Sequence, residues 1–308
     1  MMNKPVSTEF RSGYAAVVGR PNVGKSTLIN ALLGQKIAAV SSKPQTTRLR
    51  QLGILTLPHA QVIFIDTPGL HIARHKLGAG MNALAEQALA GADVVVWMVD
   101  TSQGLHPEDE LITEKLASLN KLPPIIQVLN KIDLIRPERL EEQRELFASL
   151  YPGINQVPVS ALENAGLDRL LEAILIHLKP GEPFYPAEQV TDYYEREIAA
   201  DLIREAALEY LRDEVPHAIA VRVDQFVERG DSGALITATL LVEKESQKGI
   251  VIGKGGEMLK AIGTSARKAI EEMNGRKVFL ELRVKVNKNW RANQVFLRGM
   301  GYPMPEDN

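Results

Sequence analysis

The stretch Gly19-Arg20-Pro21-Asn22-Val23-Gly24-Lys25-Ser26, continued by Thr27, has the residue types and spacing to hold phosphate. It follows the apolar run Tyr14 to Val18 and opens the leucine-bearing segment Leu28 to Leu33, an order that predicts strand, glycine-rich loop and helix. Gly19 and Gly24 free the backbone to turn its N–H groups inward, and the helix beginning near Lys25 adds the positive end of its dipole. Lys25 would reach the outer phosphates as a point charge. The hydroxyl of Ser26 is placed to ligate a magnesium ion bridging them. An ordinary turn between strand and helix requires none of these residues together, so the pattern reads as a nucleotide site.

Three further stretches bear on which nucleotide. Val62-Ile63-Phe64-Ile65 is a buried-strand pattern, and Asp66-Thr67-Pro68-Gly69 follows it, where an α/β sheet binds ligands. Asp66 would hold the magnesium through a water, and the Gly69 N–H would meet the γ-phosphate. A second apolar run, Pro124 to Leu129, ends in Asn130-Lys131-Ile132-Asp133. The Asp133 carboxylate can accept from both the ring N1–H and the exocyclic amine of guanine, a paired donor edge that adenine lacks, while Lys131 lies along base and ribose. Val157-Pro158-Val159 leads into Ser160-Ala161-Leu162, which offers a backbone N–H to the guanine O6.

The elements that must position these groups alternate. Helices are expected over Ala79–Ala90, Pro107–Leu119, Arg136–Leu150 and Gly166–Leu178, and strands over Leu52–Leu57, Val62–Ile65, Val94–Val99 and Pro124–Leu129. That alternation predicts a mostly parallel α/β sheet covered on both faces. Gln35 to Arg50 is polar and reads as a loop, in which a threonine hydroxyl would complete the magnesium shell when a γ-phosphate is present. Thr47 is taken for that role, with Thr46 as its rival. Leu70 to Gly78 has no clear period and reads as a second switch.

Lys179-Pro180-Gly181-Glu182-Pro183-Phe184-Tyr185-Pro186 is rich in proline and predicts a hinge. The expected organisation is a flexible amino terminus (1–12), a nucleotide-binding domain (13–178), a hinge (179–191), a second domain (192–301) and a tail (302–308). In the second domain a helix up to Leu211, strands over Ile219–Val227 and Leu235–Val242 with a turn at Arg229 to Gly233, a helix to Met273 and a strand over Val278–Val286 are expected. Between them lies Val251-Ile252-Gly253-Lys254-Gly255-Gly256, followed by Leu259-Lys260-Ala261-Ile262. Glycines at i and i+3 let phosphates approach the backbone, Lys254 adds charge, and Ile250, Ile252, Leu259 and Ile262 would line an apolar groove for bases.

Charge supports a polyanionic partner for this part of the chain. The whole sequence carries a net −2, yet residues 244–300 hold 13 Lys/Arg against 5 Asp/Glu. Lys260, Arg283, Lys285, Lys288 and Arg291 would extend an RNA surface, and Trp290 suits packing and base stacking equally. The chain has no cysteine, which removes disulfides and thiolate chemistry and is compatible with a reducing cytosol. No apolar run reaches the ~18 residues that span a bilayer, and the amino terminus has no apolar core of the kind a signal peptide carries.

Gly19 to Ser26, Thr47, Asp66 to Gly69, Asn130 to Asp133 and Ser160-Ala161 together resemble the five guanine-nucleotide motifs of a Ras-like GTPase. Ras-type enzymes place a water-positioning glutamine after the Asp-x-x-Gly glycine; here Leu70 stands there. The chain is thus similar to bacterial GTPases with a hydrophobic residue at that place, in which an asparagine of the phosphate loop, here Asn22, often helps hold a potassium ion. Gly253 to Gly256 and the elements around it look like a type II KH domain. A Ras-like GTPase followed by such a domain resembles the Era family of bacterial GTPases. The resemblance implies magnesium-dependent GTP hydrolysis to GDP, in which Asn22, Lys25, Thr47 and Gly69 take part, and recognition of the 3′ end of small-subunit ribosomal RNA on the small ribosomal subunit. It also implies a cytoplasmic monomer, with room for peripheral contact with the cell membrane. A switch that recruits a protein effector would leave the Gly253 loop unused, and an RNA-binding protein with a decayed nucleotide site would not keep Lys25, Ser26, Asp66 and Asp133.

Overall fold

Strand β4, Val94–Asp100, is buried at every residue, as a strand covered on both faces must be. The computed structural model describes residues 9–41, 43, 46–73, 75–119, 123–228 and 233–304, arranged as two compact units. The first eight residues of the expected flexible amino terminus, the turn at 229–232 and the last four residues of the tail lie outside the described residues.

The first unit takes in the described residues of Met1–Gln35, Arg50–Leu70 and Ala85–Asp192. Its strands are β1 (Arg11–Val18), β2 (Gln51–Leu57), β3 (Ala60–Asp66), β4, β5 (Ile125–Asn130), β6 (Asn155–Val159) and the short β7 (Lys179–Pro180). They follow the order β2-β3-β1-β4-β5-β6. All neighbours along that path are parallel except β2 with β3, so the expected mostly parallel sheet is present. The helices of this unit are α1 (Lys25–Leu33), α3 (Pro107–Ala117), α4 (Pro137–Ala148) and α5 (Leu167–Leu175), with α2 (Lys76–Ala90) contributing its last turns from Ala85 onward. One face of the sheet buries Val18, Val95, Trp97, Val99 and Leu129 with Ile112, Leu116 and Phe147. The other packs Ala16, Leu52, Ile54, Ile63 and Ile65 with Ala88. β1 starts at Arg11, inside the span expected to be flexible.

The proline-rich segment expected as a hinge is tied along this unit. β7 pairs with Arg11 and Ser12 of β1, and the Gly181 N–H donates to the Phe10 carbonyl. The Gln61 amide, wholly buried in β3, donates to the Tyr185 carbonyl and accepts from the Phe184 and Tyr185 N–H groups at 2.7 and 3.0 Å. Farther on, the Ile54 and Leu52 N–H groups of β2 donate to the Val190 carbonyl and the Asp192 carboxylate. Proline removes donors from the segment, and side chains and carbonyls supply the bonds instead.

The second unit takes in the described residues of Lys36–Leu49, His71–Leu84 and Tyr193–Asn308. It contains α6 (Glu195–Tyr210), β8 (Ala220–Glu228), β9 (Ala234–Val242), α7 (Glu245–Ile252), α8 (Glu257–Asn274), β10 (Val278–Val286) and α9 (Gln294–Gly299). β9 is central, antiparallel to β8 and parallel to β10, with a register shift between Val223 and Gln225. α6 and α8 bury Ile198, Leu202, Ile203, Ala206, Ile262, Ala266 and Ile270 against one sheet face. Ile262 is therefore core and does not line a groove. At one end of the opposite face, the paired Ala220 and Leu241 pack with Leu77, Met81, Leu84, Trp290, Leu297 and Tyr302. Helix α2 starts at Lys76, three residues before the expected Ala79, because Leu77, Met81 and Leu84 form a continuous stripe that Gly78 and Gly80 obscure in the sequence.

Trp290 is a packing residue: it is fully buried and its indole N–H donates to the Ala218 carbonyl at 2.9 Å. The buried guanidinium of Arg48 sits 5.6 Å from its ring centroid and donates to the Ile219 carbonyl at 2.6 Å.

Candidate functional sites

The phosphate loop leaves β1 at Val18 and enters α1 at Lys25, with Asn22 at φ 64° and Gly24 at φ 102°. A Cβ on Gly24 would lie 2.4 Å from Nδ2 of Asn130, so only glycine fits. Lys25 is buried, and its ammonium donates to the Gly19 and Arg20 carbonyls at 3.1 and 2.9 Å. Burial lowers its pKa to about 8, with the nearby Asp66 pulling the other way. Val23 is buried, while Pro21, Asn22 and Thr27 are placed at the loop and the start of α1.

Asp66 is the last residue of β3, and it accepts from the Ser26 hydroxyl at 2.8 Å. Hydroxyl and carboxylate oxygens brought together beside a phosphate loop are the hard donors that Mg2+ takes, along with water and substrate oxygens. Among the described residues no group of three His, Cys, Asp or Glu could form an all-protein metal cage. The donor set therefore fits magnesium. Thr67 donates to the Val17 carbonyl at 2.7 Å, which fixes the stretch after β3 against β1. Gly69 passes so close to the phosphate loop that a Cβ would come within 2.6 Å of the Pro21 nitrogen. The Leu70 N–H donates to the Gly19 carbonyl and its side chain is fully buried.

Asn130, at the end of β5, joins two loops. Its Nδ2 donates to the Val23 carbonyl at 2.7 Å and its Oδ1 accepts from the Ala161 N–H at 3.0 Å. Asp133 is exposed and accepts from the Ser160 hydroxyl at 2.5 Å. Leu162 is exposed, whereas Ser160 and Ala161 are buried. The structure thus brings Gly19 to Ser26, Asp66 to Gly69, Asn130 to Asp133 and Ser160-Ala161 to one end of the parallel strands. Thr47, the expected third magnesium ligand, belongs to the second unit.

Two carboxylates carry no signal of a site role in the sequence, Asp109 reading there only as a first-turn acid of the helix from Pro107. Asp100, buried at the end of β4, accepts from Lys131 at 2.6 Å and lies 3.8 Å from Arg20. Asp109 caps α3 through the His106 N–H and stands 3.6 Å from the Arg20 guanidinium; burial raises its pKa while Arg20 opposes the shift. Arg20 also donates to Gln103 at 2.9 Å. Arg20 and Lys131 are therefore held from behind by acids that only the fold brings near.

In the second unit the Gly253 loop joins α7 to α8. Gly253, Gly255 and Gly256 have φ of 73, 61 and 85°, and a Cβ on Gly253 would meet that of Met258 at 2.7 Å. Backbone N–H groups at the start of α8 are thus open to an anion without intervening side chains. Lys254, Lys260, Lys285 and Lys288 are exposed. Arg283 pairs with Glu281 at 2.7 Å, and Arg291 is bonded to Glu243 through two nitrogens, so both charges are already compensated. α7 was hidden in the sequence by Gly249; it is capped by Gln247, whose Oε1 accepts the Glu243 and Lys244 N–H groups at 2.9 and 3.0 Å.

Comparison with known proteins matches each unit to a family. The family described as 50S ribosome-binding GTPase matches residues 14–131, and the family described as KH domain matches residues 214–291. The chain is 47% identical over 294 residues to the GTPase Era of Geotalea uraniireducens (strain Rf4), covering 96% of this chain and 98% of that one. The crystal structure of Era in complex with MgGDPNP and nucleotides 1506–1542 of 16S ribosomal RNA superimposes with a TM-score of 0.90 at 41% identity, covering 96% of this chain and all of that one (100%). That of a point variant of Aquifex aeolicus Era bound to GDP.AlF4- gives a TM-score of 0.89 at 40% identity, with the same 96% and 100% coverage. With a GTPase match and a KH match in one chain, and with such identity to GTPase Era over nearly its whole length, the chain belongs to the Era family of GTPases.

Proposed function

We propose that this chain hydrolyses GTP to GDP and phosphate and binds the 3′ region of small-subunit ribosomal RNA through its KH unit, acting in maturation and assembly of the small ribosomal subunit. The observation that carries the reading is the presence in one chain of the Ser26–Asp66 pair at the phosphate loop and the open Gly253–Gly256 turn at the head of α8. The relative solved with both MgGDPNP and 16S ribosomal RNA supports taking them together.

In this reading the N–H groups of Gly19 to Ser26 and the Lys25 ammonium hold the phosphates, and Asn130, Lys131, Asp133, Ser160 and Ala161 select guanine. When bound, magnesium neutralises charge developing on the phosphate oxygens; Ser26 would ligate it directly, Asp66 through water and Thr47 in the GTP state. The Gly69 N–H would orient the γ-phosphate. Buried Leu70 has no group to orient water, so Asn22 is assigned to a potassium ion that supplies the missing positive charge. Lys254, Lys260, Lys285 and Lys288 would contact RNA phosphates.

GTP would favour the ribosome-competent state and hydrolysis would release it. The chain is proposed to act as a cytoplasmic monomer. Among the described residues no helix is long and apolar enough to cross a membrane, so contact with the cytoplasmic membrane would be peripheral. A crosslinking map on purified small subunits tests the whole reading. Crosslinks from the α7–α8 turn to the 3′ end of the RNA are expected with GTP and should diminish with GDP. Crosslinks confined to other RNA regions, or indifferent to nucleotide, would overturn it.

A further inference from the structure

A groove of about 520 Å3 runs between α8 and β10. Gly256, Lys260 and Arg267 line its helix side, and Phe279, Leu280 and Leu282 its strand side, with no carboxylate among its lining residues. Lys260 and Arg267 are exposed. β10 is an edge strand, so the backbone groups along its outer side have no strand partner among the described residues.

Phe279 stands at the rim of this groove. Val278, Leu280, Leu282 and Val284 turn into the core, so Phe279 lies on the opposite face, where it is 66% exposed. Its register partners across the sheet are half-buried Leu235 and, beyond it, exposed Val227, so the three form an apolar row on the sheet face away from α8, with Phe279 at the edge that borders the groove. Phenylalanine suits a strand, but an outward position on a strand edge gains nothing from a large ring left in water. No other aromatic ring packs on it among the described residues. An open ring next to a cationic groove has the chemistry of a stacking platform for an unpaired base.

We propose that Phe279 is a base-stacking subsite for single-stranded RNA. The strand is held by its phosphates at Gly253–Gly256, passes along the groove with Lys260 and Arg267 on its backbone, and lays one base on the exposed ring. The inference rests on the reading of this unit as an RNA-binding KH unit. Stacking tolerates any base, so Phe279 adds affinity and fixes the register of the strand, while discrimination is left to groups that meet base edges.

The test uses the full chain with a non-hydrolysable GTP analogue. The probe is a synthetic single-stranded RNA of the small-subunit 3′ end carrying 2-aminopurine at successive positions. Wild type should quench the probe at one position along the strand. Phe279→Ala and Phe279→Leu should lose that quenching and bind roughly 10- to 100-fold more weakly, with an unchanged salt slope, whereas Phe279→Tyr should keep both. Lys260→Ala should instead lower the log–log salt slope by about one unit. Circular dichroism checks each fold, and Phe279→Leu serves if the alanine variant is perturbed. If Phe279→Leu binds like wild type, or loses affinity while the quenching persists, the stacking proposal is overturned. A folded Lys254→Asp/Gly255→Asp variant that binds normally would instead sink the reading of the loop itself. Loss of binding there with normal binding by Phe279→Leu would reject only the stacking subsite.

Discussion

Gly24 and Asn130 approach so closely that a methyl group on the glycine would lie 2.4 Å from the asparagine amide, which itself donates to the neighbouring Val23 carbonyl at 2.7 Å. The phosphate loop and the loop after β5 are thus one hydrogen-bonded assembly. Gly24→Ala would combine that clash with a backbone at φ 102°, a strain on the order of 1–3 kcal/mol. GDP affinity should fall at least about 10-fold, and the urea midpoint should drop with it. Titration with a fluorescent nucleotide and a denaturation curve check both; an unchanged affinity would separate the loops functionally.

Asp133 is expected to set guanine selectivity. Asp133→Asn exchanges a two-oxygen acceptor for an amide, so GTP affinity should fall on the order of 100-fold, as for loss of charge-assisted bonds. Xanthosine triphosphate binding should improve. Competition assays with ATP, GTP and xanthosine triphosphate decide; wild-type protein that takes ATP as readily as GTP would contradict the assignment.

Leu70 is buried and apolar, so its side chain offers no group to orient water. Intrinsic turnover should therefore be slow. Asn22→Ala should still bind GTP yet lose any acceleration by potassium. Phosphate-release rates compared in potassium and in sodium provide the measurement, and equal rates in both salts would remove the monovalent ion from the mechanism. Magnesium should remain necessary in either salt, because Ser26 and Asp66 are untouched.

Lys254→Asp with Gly255→Asp places negative charge and a Cβ in a turn whose second glycine has φ 61°. RNA binding should fall strongly, by more than about 10-fold, through repulsion of phosphate. Basal GTP hydrolysis should change little, since the phosphate loop and the guanine-side loops lie in the other unit. Lys254→Ala alone should reduce the salt slope of RNA binding by about one unit. Filter binding across a salt series distinguishes the two variants.

The gathering of the candidate nucleotide residues at one end of the sheet was legible because such chemistry demands fixed residue types at fixed spacing, each just after an apolar strand. Gly24, Lys25, Ser26, Asp66, Asn130 and Asp133 could be placed from those patterns. Asp100 and Asp109 could not, since an acid at a strand end or in a helix's first turn is common, and only folding brings these two to Arg20. The start of α2 was masked by Gly78 and Gly80, whose low helix propensity is overridden by packing of Leu77, Met81 and Leu84. The inclusion of residues 36–49 in the second unit was equally hidden. The bond from Arg48 to the Ile219 carbonyl joins residues 171 positions apart, and no local pattern encodes such a contact.

The segment from Lys179 to Asp192 has the composition of a linker, which ordinarily marks where a protease cuts or a fragment can be ended. Its bonds to Gln61, Ile54 and Leu52 reverse that expectation. A fragment stopping at Leu178 would strip the wholly buried Gln61 amide of its Tyr185 and Phe184 partners and leave the first residues of β1 without β7. It should be less stable and more prone to precipitate than a fragment carried through Asp192. In limited proteolysis of the whole chain this stretch should be cleaved more slowly than its composition suggests, because several of its backbone groups are already hydrogen-bonded.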